Sequence, residues 1–185
     1  PWRFLNSSLL KQYSFSIIKQ LANVVNYLSS QNIVHRDINP KNILIDKKMG
    51  LKLLGITLVK SVDSQLTQKG TRMFTPNFTA PEQIVDPSQV GSKADIFSLG
   101  AVAYYLLTGI PPFGARNHSA YIKMLQKKEV PVALQTLKSD IPAYFCNLIA
   151  RTLSFQHAQR PTIHDFIIQY RKVISFPTRR IRKYT

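Results

Sequence analysis

An apolar stripe between residues 14 and 29 is the first regular feature of the chain. Ile17, Leu21, Val25 and Leu28 recur at steps of three or four residues, the spacing that places side chains on one face of a helix. Polar residues occupy most of the intervening positions. The pattern therefore predicts an amphipathic helix over this stretch.

Short apolar runs follow the predicted helix. Ile33-Val34 is predicted to be a short strand, and residues 43–45 and 51–54 are predicted to be two further strands. The last two are separated by residues 46–50, a turn of the length found in β-hairpins. Residues 35–42 are therefore expected to form a loop in front of a hairpin.

The second half of the chain is predicted to be mainly helical. Residues 96–107 are apolar except at Ser98 and Gly100, which indicates a buried helix. The run is shorter than the roughly 20 residues that a membrane span needs. Polar residues 61–79 are predicted to form a loop, and three more helices are expected, over 119–128, 142–154 and 162–174.

The length of 185 residues suits one domain, which we place at residues 9–174 with a basic tail at 175–185. Cys146 is the single cysteine, so an internal disulfide is excluded and a reducing compartment such as the cytoplasm is expected. We expect Cys146 to be an apolar residue on a helix. Because the chain begins with Pro1 rather than Met, it is expected to be a fragment or a processed product.

Charge changes the expected partners more than the expected fold. The chain has 25 Lys and Arg residues against 9 Asp and Glu residues, a formal net charge of +16. Such a balance favours acidic partners and allows weak electrostatic contact with anionic surfaces. The absence of a nucleic-acid motif disfavours specific nucleic-acid recognition. His157 and His164 have no further ligand set, which disfavours a metal site there.

The predicted loop at 35–42, His-Arg-Asp-Ile-Asn-Pro-Lys-Asn, carries candidate chemistry. Asp37 offers a carboxylate that accepts a proton, and Asn42 offers an amide oxygen five residues later. Oxygen is the ligand that Mg²⁺ prefers, so this pair suits phosphoryl transfer. The alternative is a polar hairpin connection without chemistry.

As HRDxxPxN, this loop resembles the catalytic loop of eukaryotic-type serine/threonine protein kinases. Further landmarks follow in the order of that family: Ala80-Pro81-Glu82, Asp95 at the head of the buried helix, and Arg160-Pro161. The resemblance implies a mainly α fold, the helical C-terminal lobe of a kinase with a short β-hairpin. Neither a glycine-rich loop nor a strand lysine precedes it, so the small lobe is expected to be absent.

The resemblance implies a role for each matching residue in phosphoryl transfer. Asp37 would be catalytic, Asn42 would bind Mg²⁺ and thereby the ATP cofactor, and Thr75 would hydrogen-bond the catalytic Asp. Asn39 stands where these kinases usually have a lysine, and it offers a hydrogen bond without the charge. Phe74 stands where a glycine is usual, which makes the local backbone shape uncertain.

Other matching residues are expected to be structural. His35 and Arg36 belong to the catalytic loop, and Asp95 would accept hydrogen bonds from its backbone amides. Glu82 and Arg160 would form a buried ion pair. Arg36 would also receive a phosphate placed on Thr67 or Thr71, but both are more simply ordinary loop threonines.

The strongest departure from the family lies after the predicted hairpin. An active kinase has Asp-Phe-Gly here, and its Asp binds the Mg²⁺ that bridges the ATP phosphates. Without a gap, Gly55-Ile56-Thr57 occupy those positions, and with a gap Gly55 is the motif's glycine. Both alignments lose the Asp, so binding of ATP and Mg²⁺ by this chain is in doubt.

Three hypotheses for the function remain open. The chain belongs either to an active serine/threonine kinase with protein substrates, or to a pseudokinase that binds a regulatory protein partner, or to a non-functional truncated remnant. We favour the inactive, pseudokinase-type module over residual catalysis, because the metal-binding Asp is lost and Asn39 brings no charge. A weaker fourth option makes the basic tail an anchor for anionic lipid or nucleic acid.

Overall fold

The computed structural model describes residues 3–4, 7–55 and 74–174, and the side chains from 13 to 173 within them. The helices are α1 Ser7–Ser30, α2 Pro81–Val85, α3 Ser92–Thr108, α4 His118–Gln126, α5 Leu134–Leu137, α6 Ala143–Thr152 and α7 Ile163–Ile174, and the strands are β1 Arg3–Phe4, β2 Ile43–Ile45 and β3 Leu51–Leu53. Thr67 and Thr71, Ile56-Thr57 and the basic tail at 175–185 lie outside the described residues.

Helix α1 forms one wall of the core. It begins at Ser7, well before the predicted start, and it packs against α3 and α7. The predicted stripe is buried, since Ile17, Leu21, Val25 and Leu28 are each at most 2% exposed. The hydrophobic period therefore located this helix correctly and missed its first two turns, where apolar spacing is less regular.

The sheet is antiparallel with strand order β1-β2-β3. Ile43 pairs with Leu53 and Ile45 with Leu51, which confirms the predicted hairpin, and β1 adds a third strand along β2. The predicted strand at Ile33-Val34 is wrong. The Ile33 N–H donates instead to the Leu28 carbonyl, so this segment finishes the end of α1 rather than pairing with a strand.

Helix α3 is the centre of the fold. It begins at Ser92, and 13 of its 17 residues are buried because α1, α5 and α6 pack around it. Its C-cap is Gly109, whose N–H donates to the Tyr105 carbonyl and whose positive φ of 81° turns the following chain out of the helix. Among the described residues, no helix has the length and apolarity that a bilayer crossing requires.

The remaining helices lie close to their predicted positions. α4, α6 and α7 begin and end within two residues of the predicted limits. Cys146 is buried in α6, as expected of an apolar position. The sequence pattern missed the short α2 and α5, which have too few residues to show a period.

Gly100 provides a test of the packing between α3 and α6. A Cβ built on Gly100 would lie 1.7 Å from the Thr152 Oγ1 and 2.6 Å from its Cβ. We therefore expect Gly100→Ala to lower the free energy of unfolding by about 3 kcal/mol, the upper end of overpacking costs. Chemical denaturation of the purified protein measures the change.

Gly91→Ala is the matched control for this test. It makes the same substitution at a residue where an added Cβ meets nothing within 4 Å and where φ is negative. Its cost should stay near that of exchanging a helix N-cap, about 1 kcal/mol or less. Equal costs for the two variants would contradict a close contact at Gly100.

Candidate functional site

Asp95, one turn into α3, accepts hydrogen bonds from the backbone of the 35–42 loop. The Asp95 Oδ2 accepts the His35 N–H at 2.8 Å, and its Oδ1 accepts the Arg36 N–H at 2.9 Å. Burial raises the pKa of Asp95 above its ordinary value, and the two amide donors oppose that shift. The carboxylate therefore substitutes for water at two amides that no strand or helix satisfies.

Arg36 adopts a backbone conformation that needs such support. Its φ is 68°, in the left-handed region that a residue with a Cβ enters only at a cost. Asp95 holds its N–H, and the Gln83 side chain donates to its carbonyl at 2.7 Å. The reversal of the chain at Arg36 turns the next residue, Asp37, towards solvent.

His35 connects the loop to the end of the sheet. It is 2% exposed, and its Nδ1 accepts the Asp37 N–H at 3.3 Å. Its Nε2 lies 2.9 Å from the Leu54 carbonyl, and a carbonyl only accepts, so Nε2 carries the ring proton. Through these two hydrogen bonds the imidazole connects the Asp37 backbone to Leu54, the residue after β3.

The Asp37 carboxylate is exposed but well oriented. Its Oδ1 accepts from the Asn39 Nδ2 at 2.7 Å and from the Thr75 Oγ1 at 3.1 Å. Its Oδ2 accepts from the Asn42 Nδ2 at 2.7 Å. The structure thus brings together the four residues that the resemblance singled out for catalysis and metal binding. The three side-chain donors that the described residues place around the carboxylate are neutral, so they orient Asp37 without adding positive charge.

Asn39 also has a structural role, because it caps a turn and connects two segments of the site. It is 2% exposed, its Oδ1 accepts the Lys41 N–H, and its Nδ2 also lies 3.3 Å from the Thr75 Oγ1. It caps the 3₁₀ turn Pro40–Asn42 and joins the loop to the segment before Ala-Pro-Glu. From sequence we expected Asn39 to offer a hydrogen bond without a charge and did not predict its capping role, although Asn before Pro is a known turn signal.

The residues around Asn42 provide a direct test of a metal site. Its Nδ2 is used by Asp37, and its Oδ1 makes no described hydrogen bond, so one amide oxygen is available as a ligand. A Cβ on Gly55 would lie 3.4 Å from the Asn42 Nδ2, but Gly55 has no carboxylate to offer. In the described residues no group of three or more His, Cys, Asp or Glu side chains could hold a metal. Mg²⁺ in proteins is usually held by one or two carboxylates together with substrate phosphates, and at Gly55, beside the Asn42 oxygen, the second carboxylate is missing.

Glu82 and Arg160 form a bidentate ion pair in the core. The Nη1 to Oε1 distance is 2.6 Å and the Nη2 to Oε2 distance is 2.8 Å, with side chains 6% and 0% exposed. Arg160 also donates to the carbonyls of Lys93 and Ser154. The pair ties α2 to the turn before α7, and it thereby holds the chain that leads away from Thr75.

The backbone around Phe74 is supported by aromatic packing. Its ring meets the His118 ring edge-on with centroids 4.6 Å apart, and its carbonyl lies 2.8 Å from the His118 Nε2. Asn77, with φ of 72°, exchanges two hydrogen bonds with the Ala115 backbone. Sequence reasoning missed these anchors, and only the left-handed preference of Asn could have indicated the second.

Comparison with known proteins agrees with this geometry. The model of the protein kinase domain matches residues 5–170. The chain belongs to the protein kinase domain family. The helical fold with its small antiparallel sheet is accordingly the kinase-like C-terminal portion that the motifs indicated. Protein kinases generally use ATP and Mg²⁺ and act on protein substrates or regulators.

Similar proteins include several serine/threonine kinases. The chain is 28% identical to serine/threonine-protein kinase ATG1 of Komagataella pastoris, over 83% of this chain and 21% of that protein. It is 31% identical to serine/threonine-protein kinase PLK2 of Mus musculus, over 82% of this chain and 22% of that protein. A putative serine/threonine-protein kinase/receptor R831 of Acanthamoeba polyphaga mimivirus is 34% identical over 78% of this chain and 9% of that protein. The chain therefore spans about a fifth or less of these relatives.

The ion pair leads to a prediction for stability. Glu82→Ala should lower the free energy of unfolding by about 3–5 kcal/mol, because Arg160 would stay buried without its partner. Glu129→Ala removes the same side chain from an exposed position and should change the free energy of unfolding by less than about 0.5 kcal/mol. Chemical denaturation measures both. A loss below about 1 kcal/mol for Glu82→Ala would show that the pair contributes little.

A second prediction concerns Asp95. In Asp95→Asn, one of the two loop amides would face an NH₂ group instead of an oxygen, at a cost of about 1–3 kcal/mol. Hydrogen exchange should become faster at His35 and Arg36, while Asp140→Asn, at an exposed position, should leave both amides unchanged. Unaltered protection in Asp95→Asn would mean that the loop holds its shape without this carboxylate.

Proposed function

We propose that this chain is the polypeptide-binding portion of a kinase-family protein in which phosphoryl transfer is strongly impaired. The observation that carries the proposal is Gly55, which faces the Asn42 amide where a metal-binding carboxylate would be needed. Asp37 is oriented for a substrate hydroxyl, but the described site offers one amide oxygen for a cation. The finding therefore favours a pseudokinase-type module over an active kinase.

The backbone supports the alignment without a gap. The Leu54 N–H donates to the Asn42 carbonyl at 2.7 Å, so the following residue, Gly55, begins directly beside Asn42. A side chain at Gly55 would point at the Asn42 amide. This is the place from which a carboxylate would share a cation with the Asn42 Oδ1. A catalytic cation usually contributes several kcal/mol of transition-state stabilisation. Loss of the carboxylate that would hold it should therefore lower the rate of phosphoryl transfer on the order of 10²-fold or more.

The second missing contribution is positive charge beside Asp37. The Asn39 amide hydrogen-bonds Asp37 and Thr75, but it does not offset the charge of a phosphoryl group in transfer. We therefore propose that Asp37, Asn39, Thr75 and Asn42 now orient a bound polypeptide and contribute little to chemistry. In this proposal the partner is a protein, ATP and Mg²⁺ bind weakly or not at all, and the location is cytoplasmic.

The test compares two substitutions of nearly equal shape. Asp and Asn both tolerate the φ of 81° at Gly55 better than most residues, so Gly55→Asp and Gly55→Asn are a matched pair that differs by one charge. In the full-length protein, thermal unfolding with and without Mg-ATP should show no stabilisation for the original protein. We expect a shift for Gly55→Asp but not for Gly55→Asn, because binding stabilises by mass action.

Transfer of labelled phosphate from ATP to a mixed serine peptide pool completes this test. The original protein should match its Asp37→Asn variant, which removes the proton-accepting carboxylate. Stabilisation by Mg-ATP that disappears in Asn42→Ala, together with phosphotransfer above the Asp37→Asn level, would instead establish an active kinase. Absence of a cooperative melt in the full-length protein would favour the non-functional remnant.

A further inference from the structure

The Thr75 segment, residues 74–79, is attached to α4 and to the chain before that helix. The Asn77 side chain exchanges two hydrogen bonds with the backbone in front of α4. The Tyr121 hydroxyl of α4 donates to the Thr79 carbonyl at 2.7 Å. Both attachments come after Thr75 in the chain, so they fix only the end of the segment that leads to α2.

Among the described residues, Phe74 provides the attachment on the other side of Thr75. Its ring meets the His118 ring edge-on, with centroids 4.6 Å apart and an interplanar angle of 71°. Its carbonyl lies 2.8 Å from the His118 Nε2, and a carbonyl only accepts, so Nε2 donates this hydrogen bond. One imidazole therefore holds both the side chain and the main chain of the residue next to Thr75.

His118 lies on an element that is itself well anchored. It is the first residue of α4, and the Asn117 side chain caps this helix by accepting the Ala120 N–H at 2.9 Å. Tyr121, on the next turn, is 0% exposed, and its ring centroid lies 6.2 Å from that of Phe74. The Phe74 ring therefore packs on the end of a helix that the core holds in place.

This contact needs a side chain that the kinase motif does not supply. A glycine is usual at position 74 in that motif, and a glycine has the carbonyl but no ring. Phe74 is not among the described residues with a positive φ, so the backbone accommodates a side chain here without strain. The ring contact between Phe74 and His118 is therefore a feature of this chain and not of the motif.

We propose that Phe74 and His118 are positioning residues that hold Thr75 against Asp37, so that the polypeptide-binding site is formed without an added phosphate. The inference rests on the proposed polypeptide-binding function and adds its regulation. The Thr75 hydroxyl donates to the Asp37 carboxylate at 3.1 Å, and one exposed hydrogen bond contributes little net free energy. Thr75 needs the neighbouring contact to stay in place, and unmodified side chains supply it.

Hydrogen exchange of the full-length protein tests the contact. The amides of Phe78 and Thr79 both donate to the Thr75 carbonyl, so these two reporter amides lose protection when Thr75 moves. Phe74→Ala should speed their exchange about threefold to tenfold, the range for loss of an aromatic pair. His118→Leu should speed it further, because it also removes the donor. His118→Gln keeps an N–H donor and should recover part of the protection.

The double variant distinguishes a direct contact from two separate effects. Phe74→Ala and His118→Leu remove the same ring pair, so the combined variant should exchange at nearly the rate of His118→Leu alone. A double variant whose rate is the product of the two single effects would overturn the direct contact.

Tyr13→Ala and His164→Leu are the matched controls. Tyr13 is a half-buried ring on α1, and His164 is an exposed histidine in the first turn of α7. Both variants should leave the reporter amides unchanged. In Phe74→Ala the amides of His35 and Arg36 should also keep their protection, because the carboxylate that holds them lies on α3.

Fluorescence anisotropy adds a readout of binding, with a labelled pool of short peptides that share one central serine. Phe74→Ala should bind this pool about twofold to fivefold more weakly, because a chain end with few contacts opens readily and the site is then only partly populated. His118→Gln should bind more tightly than His118→Leu. Original protein made in bacteria, and shown by its mass to carry no phosphate, should already bind the pool and protect the reporter amides.

The outcomes separate the two proposals. If the original protein binds no peptide of the pool, the polypeptide-binding function itself is overturned. If peptides bind but Phe74→Ala leaves both exchange and affinity unchanged, that function stands and the positioning role is overturned. If the phosphate-free protein leaves the reporter amides unprotected, or if a phosphorylated preparation binds more than about tenfold tighter, the independence from phosphate is overturned.

Discussion

The buried carboxylate of Asp95 is the interaction on which the rest of the site depends. Placing a carboxylate in the core is costly unless donors replace water, and the amides of His35 and Arg36 are those donors. Their position fixes the left-handed turn at Arg36, and this turn directs Asp37 to the surface. A helix at the centre of the core therefore sets the position of a loop that has little regular structure of its own.

Once Asp37 is placed, its surroundings show a site that is well ordered but poor in charge. Three neutral donors orient the carboxylate, and the buried pair of Glu82 and Arg160 steadies the chain that carries Thr75. These contacts are the structural half of a phosphotransfer site. Beside the Asn42 amide, Gly55 supplies no second carboxylate, and the described donors to the Asp37 carboxylate are all neutral. The proposed loss of phosphoryl transfer rests on this difference between orientation and charge.

Much of the site was predictable, because a motif brings its residue types within a few positions of each other. The spacing of Asp37 and Asn42 indicated a common pocket, and the structure places their side chains 2.7 Å apart. The contact between Asn39 and Thr75 was not predictable in the same way, because the two residues are 36 positions apart in the chain. Such relations have no local pattern.

The sequence by itself determined the helices with a regular apolar period, the hairpin, the kinase family and the absence of an acidic residue from position 54 to position 62. These features follow from local spacing or from residue identity, which need no partner. Only the tertiary structure decided that Ile33 completes the end of a helix, that Gly55 faces Asn42, and that Asn39 reaches Thr75. Each of these depends on which distant segments pack together, because burial and hydrogen-bond satisfaction are settled by the whole core.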